Sequence, residues 1–170
     1  MTALSVKKTA CAAAFTVLAL ALSYFEGFIP LSYIIPFPGI KLGLANIAVM
    51  AACFYLGIGY AIGVSLCRIF IGFLLFGSVT SLWFSFCGGI FALAGLWLYT
   101  AFLKNTNGII GSSVLCAALH STGQCLACSA IYGYYVMLTY LPYLLLFSVA
   151  TGTVIGFIVW RLISLKIYQG

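Results

Sequence analysis

Aspartate is absent from this chain, and Glu26 is its single carboxylate. A magnesium-dependent active site built on aspartate clusters cannot be assembled from it. The same scarcity excludes proton movement along a series of carboxylates. His120 is the only histidine, so the chain offers neither a hard-metal site nor a His-rich zinc site, and no resident metal or cofactor is expected. No G-x-x-x-x-G-K-[ST] phosphate loop occurs, so nucleotide-driven work would have to come from a separate protein. Charge is equally sparse. Only 5% of residues are Asp, Glu, Lys or Arg, against about 25% in a soluble domain. The net charge of +6 does not point to nucleic acid, because the basic residues stand singly or in one pair and form no basic stripe.

Apolar residues fill the space that charge leaves. They make up 65% of the 170 residues, in runs from Ala10 to Phe25, Leu42 to Tyr55, Tyr60 to Phe76, Leu82 to Leu103, Ile109 to Tyr132 and Pro142 to Leu165. A helix that crosses about 30 Å of hydrocarbon needs roughly 20 residues, so six crossings use about 120 and leave only short loops. Open sheet edges cost several kcal/mol per unpaired backbone group in lipid, and the runs lack the alternation of a membrane barrel. The expectation is therefore an all-α membrane protein, a bundle of six transmembrane helices, with residues 1–170 forming a single integral membrane domain. Expected breaks lie at Pro30 to Gly39, Gly57 to Gly59, Gly77-Ser78, Asn105 to Gly108, and the polar-aromatic stretch from Tyr134 to Tyr140. Lys7 and Lys8 before an apolar run imitate a signal peptide, but the continuation into Glu26 and five further apolar runs reads as a retained span.

Orientation follows from the basic residues, which are enriched in cytoplasmic loops. Six crossings with both termini cytoplasmic place Lys7, Lys8, Lys104, Arg161 and Lys166 inside and only Lys41 outside. Aromatic residues, among them Tyr24, Trp83 and Tyr143 on one side and Tyr55, Tyr99 and Trp160 on the other, fall where interfacial belts are expected. Small residues recur at four-residue spacing: Ala10 and Ala14, Gly59 and Gly63, Gly152 and Gly156. Such pairs let helices approach closely in lipid. They serve either packing within the chain or the docking of another membrane subunit.

An ionisable group inside a span costs about 2.5–3.5 kcal/mol even on insertion scales, so each one requires a partner. Glu26, Lys41, Arg68 and His120 are the candidates. An internal ion pair of Glu26 with Arg68 or Lys41 is one reading. One carboxylate cannot satisfy all three cationic or titratable partners, so a pocket for an anionic or electron-rich ligand is the other. Cys116, His120 and Gln124 at i, i+4 and i+8 form a polar stripe that should face the bundle, with Ser113 and Gly123 nearby. The seven cysteines read as small apolar packing residues, including Cys125-x-x-Cys128, which stands alone in an apolar helix.

Glu26-x-x-x-Pro30, then Pro38-Gly39-Ile40-Lys41-Leu42-Gly43-Leu44-Ala45-Asn46, then Arg68, and finally His120-x-x-Gly123-Gln124 together resemble the Gx transporter family, whose members are often labelled heptaprenyl diphosphate synthase component I. The chain departs from that family at Ser121, where an Asn usually follows the His. The family is similar to the substrate-binding S components of energy-coupling factor transporters. This resemblance implies a membrane-embedded subunit that binds a small molecule, anionic or aromatic by preference, at Glu26, Lys41, Asn46, Arg68, His120 and Gln124, and that works with a separate energy-coupling membrane subunit and ATPases. It also implies docking to that subunit through an Ala-x-x-x-Ala face, here Ala10 and Ala14. A second implication is a non-catalytic partner in prenyl diphosphate or quinone metabolism, or in flavin-based extracellular electron transfer. Prenyl chain elongation needs Asp-rich magnesium motifs, so this chain is not expected to be an enzyme.

Overall fold

The computed structural model describes residues 3–29, 41–103 and 108–165. These form six α-helices: α1 (Ala3–Glu26), α2 (Asn46–Leu56), α3 (Ile58–Phe76), α4 (Val79–Leu98), α5 (Ile109–Tyr132) and α6 (Tyr134–Ser164). A π-helical turn, Tyr99–Leu103, extends α4. No strand occurs among the described residues. Five of the helices are long and apolar enough to cross a membrane, which makes this a multi-pass membrane protein. The remaining helix, α2, has 11 residues, fewer than the Leu42–Tyr55 run anticipates. Its start is delayed because the chain first turns at Gly43, with φ 81°.

Glycine sets several other boundaries. Gly57 and Gly133 adopt φ of 102° and 103°, a region that disfavours side chains and breaks the helix. Gly57 alone separates α2 from α3, and Gly133 alone separates α5 from α6. The expected break at Tyr134 to Tyr140 is therefore corrected. Those residues are helical, α6 begins eight positions before Pro142, and the proline lies inside the helix. Membrane helices tolerate such a proline when neighbouring groups re-satisfy the backbone. At α4, the Ser78 hydroxyl accepts a hydrogen bond from the Ser81 amide at 3.2 Å and caps the helix. This supplies one of the amide partners that a helix start leaves open.

Around the bundle, α1 packs on α2 and α3, α4 on α3 and α5, and α6 on α5 and α2. The last contact is tied by the Tyr55 hydroxyl, which donates to the Leu162 carbonyl at 2.7 Å. All of α2 except Phe54 and Tyr55 is buried. Its Ile47, Val49, Met50 and Cys53 join Val64, Leu96, Cys116 and Val159 in the main apolar core. Burying these apolar surfaces against each other excludes lipid and gains the dispersion contacts that drive packing in a membrane.

The three small-residue pairs divide into two groups. A Cβ on Gly152 would lie 2.7 Å from Val114 Cα, and one on Gly156 would lie 2.7 Å from Ile110 Cα, so this pair brings α6 onto the α5 backbone. Gly59 and Gly63 meet nothing within 4 Å and are exposed, as are Ala10 and Ala14. None of the seven cysteines takes part in a disulfide among the described residues.

Candidate functional site

The C-terminal ends of α1 and α3, the N-terminal end of α4 and the segment that follows Lys41 meet on one side of the bundle. There they enclose a cavity of about 450 Å³ lined by Lys41, Arg68, Ser81 and Ser85 together with Tyr24 and Phe73. That volume lies within the range of about 300–1,000 Å³ usual for small-molecule sites. Lys7 and Lys8 at the start of α1, and Arg161 near the end of α6, lie at the opposite ends of their helices. Lys104 and Lys166 lie outside the described residues, as do Pro30 and Pro38 to Ile40 of the sequence motif.

Each charged group has a different direct partner. The Glu26 carboxylate, 5% exposed, accepts a hydrogen bond from the Gly43 amide at 2.7 Å. It also lies in the field of Lys41 and Arg68. A charge-assisted bond of this kind is about twice as strong as a neutral one. It pins the turn that carries Lys41 into place. The Lys41 ammonium donates to Ser81 Oγ and Ser85 Oγ, both at 2.9 Å. Burial pushes Lys41 below its ordinary lysine value, Glu26 opposes that shift, and the nearby Arg68 charge adds to it. Arg68 Nη2 donates to Asn46 Oδ1 at 3.3 Å, whereas its Nε has no partner. The direct partners of Lys41 and Arg68 are thus neutral oxygens, and Glu26 is engaged by backbone.

His120 and Gln124 take a different position. Both are buried on α5, and they face α4 at Gly88, where a Cβ would lie 2.8 Å from His120 Cε1 and 3.0 Å from Gln124 Cγ. His120 also lies beside Gly43, since a Cβ there would come within 3.6 Å of its Cδ2. The stripe therefore faces the bundle, but behind the cavity wall. The His120 ring is turned to the Gly88 backbone, whereas both amide atoms of Gln124 lack partners among the described residues. Such orphaned buried groups cost about 1–3 kcal/mol each. Ser121, the position of the family departure, shares a 2.6 Å hydrogen bond with Ser148 on α6 and so turns away from the cavity.

Of the six residues singled out from the sequence, Lys41 and Arg68 line the cavity. Glu26 and Asn46 hold them from behind, His120 lies beside the turn at Gly43, and Gln124 packs against α4 at Gly88. Ser81 and Ser85 were missed. Their signal is present, because two serines four residues apart at the start of an apolar helix share one face.

Lys41 and Arg68 give the cavity two cations with hydroxyl donors between the helices, an arrangement suited to an anionic group. Comparison with curated proteins and with solved structures gives no match. The chain does match, over residues 15–162, the family described as heptaprenyl diphosphate synthase component I. With that match covering nearly its whole length, the protein belongs to the heptaprenyl diphosphate synthase component I family.

Proposed function

We propose that this protein is a non-catalytic, membrane-embedded binding subunit whose cavity takes a small molecule bearing an anionic group. In this reading it works in the manner of an S component, for uptake, with a separate energy-coupling membrane subunit and ATPases. The observation that carries the reading is the lining of one cavity by Lys41 and Arg68 while the sole carboxylate is held by the Gly43 amide. Two cations in a partly desolvated site attract an anion more strongly than they would in water. The aromatic Tyr24 and Phe73 in the same lining suit a ligand with an unsaturated or ring portion.

Titration of the purified protein with inorganic phosphate and with small aromatic carboxylates tests the reading. Arg68→Gln and Lys41→Gln should each weaken binding more than tenfold, about 1.4 kcal/mol, without lowering the yield of folded protein. Equal binding by wild type and both folded variants would overturn it.

The whole chain serves as one membrane domain, with both termini cytoplasmic and the cavity facing outward. A cysteine replacing the exposed Ser78 on a Cys-free background should then react with an impermeant reagent in intact cells, and protection until the cells are opened would reverse the orientation. The exposed Ala10 and Ala14 supply the docking face. Replacing both with Trp should prevent co-purification with the coupling subunit while ligand binding persists.

The family match favours a second reading, in which the chain is the membrane partner of a separate prenyl diphosphate synthase in prenyl or quinone metabolism. Co-purification with a soluble prenyl synthase, rather than with ATPases, would select it. A setting in flavin-based extracellular electron transfer would instead bring down flavin-carrying partners.

A further inference from the structure

A second concavity of about 480 Å³ lies on the other flank of the α4 start, lined by Phe70, Val79, Trp83, Phe86 and Ile131. It is an exposed groove made, apart from Thr80, of apolar side chains. Leu82 lines both this groove and the polar cavity. The two are interleaved along the same two helices. On α3, Arg68, Ile69 and Phe73 line the cavity and Phe70 the groove. On α4, Ser81 and Ser85 line the cavity and Val79, Trp83 and Phe86 the groove. The α3–α4 packing is also far less extensive than that of α4 on α5 or α5 on α6.

We infer that cavity and groove form one bipartite site for an amphiphile with a compact anionic head and a hydrocarbon chain. The head sits against Lys41, Arg68, Ser81 and Ser85, and the chain passes over Leu82 into the groove beside Phe70 and Trp83. Charge complementarity fixes which end goes where. The cavity offers cations and hydroxyls, whereas the groove offers no charge and would leave an anion unpaired. An amphiphile already in the bilayer needs no aqueous route and can enter sideways between α3 and α4. The inference rests on the anion-binding reading of the cavity and adds the identity of the ligand's second half. It does not depend on which partner the protein serves.

Trp83 provides the probe. In the full-length protein carrying Trp97→Phe and Trp160→Phe, reconstituted in phosphatidylcholine nanodiscs, Trp83 is the only tryptophan left. A bromine at the chain end quenches it only on close approach. 12-Bromododecyl phosphate should quench Trp83 saturably, with a half-saturating concentration at least tenfold below that of 12-bromododecyl trimethylammonium. Butyl phosphate should compete, but at least tenfold more weakly than dodecyl phosphate. Val79→Phe, which narrows the groove at an exposed position, should weaken dodecyl phosphate at least fivefold more than it weakens butyl phosphate.

Equal competition by butyl and dodecyl phosphate overturns the bipartite site while leaving the anion-binding cavity intact. No competition by either phosphate overturns both. Quenching that is indifferent to head-group charge also overturns the inference, because it marks ordinary lipid contact. Displacement by dioleoyl phosphatidic acid as effectively as by dodecyl phosphate assigns the ligand to bilayer lipid, whereas displacement by the single-chain phosphate alone assigns it to a free alkyl or prenyl phosphate. Either result supports the site.

Discussion

The α5–α6 pair and the α3–α4 pair are built from similar apolar helices and end in opposite states. Among consecutive pairs, α5 and α6 share the most extensive contact, whereas α3 and α4 touch far less. The difference lies in where glycine falls. Gly152 and Gly156 each meet the α5 backbone, so those helices close on each other and leave little between them. On α3, Gly59 and Gly63 meet no neighbour among the described residues, and Arg68, Phe70 and Phe73 line the concavities beside α4 near the other end. A small-residue pair closes an interface only if it points into one. A polar cavity survives where bulky or charged residues replace it.

Breaking the tight side should produce the largest effect. Gly152→Leu has no room to relax, because its first side-chain atom already meets Val114 Cα. Overpacking of this kind costs typically about 1–3 kcal/mol, and more against backbone. Thermal unfolding in detergent should show a large loss of stability or no folded protein. A variant with wild-type melting behaviour would mean that α5 and α6 are not packed through these glycines.

Removing the negative charge that organises the loose side should have a somewhat smaller effect. Glu26→Gln keeps an oxygen for the Gly43 amide but leaves Lys41 and Arg68 without their only counter-charge. Uncompensated buried charge costs about 3 kcal/mol where it is fully enclosed, and less here because both cations line an open cavity. The expected result is a loss of about 1–2 kcal/mol in denaturant unfolding, partly recovered by adding Arg68→Gln. No recovery in the double variant would show that Glu26 acts only through Gly43.

Between helices α4 and α5, Gly88→Ala sharpens the comparison. Its Cβ would press on the His120 ring and on Gln124 Cγ rather than on backbone, so a loss of about 1 kcal/mol is expected. That loss should shrink, without vanishing, on a His120→Ala background. At the small end, Gly63→Leu and Gly59→Leu meet open space and should change stability by no more than about 0.5 kcal/mol. A large loss there would reveal a contact within the chain.

Much of this arrangement is legible in the sequence. Both limits of α5, Ile109 and Tyr132, coincide with expectation because Gly108 and Gly133 flank a continuous apolar run. The start of α6 is not legible. Pro142 and a cluster of tyrosines imitate a loop, and only the φ of Gly133 reveals the true break. The cost of charge in lipid correctly brings Glu26, Lys41, Asn46 and Arg68 together. It cannot rank who lines the cavity and who supports from behind, since both roles satisfy the same penalty. His120 and Gln124 are placed behind α4 by the absence of a side chain at Gly88, a packing fact that no spacing within α5 encodes. Ser81 and Ser85 are inexpensive in lipid and so attract no notice until Lys41 is found between them.

The shortness of α2 bears on how the protein enters the bilayer. Eleven helical residues rise about 16 Å, roughly half of a hydrocarbon core of about 30 Å. Such a segment has too little apolar length to partition from the insertion machinery by itself. Joined to α3 by Gly57 alone, it enters as one arm of a helical hairpin, and α3 supplies the hydrophobicity for both.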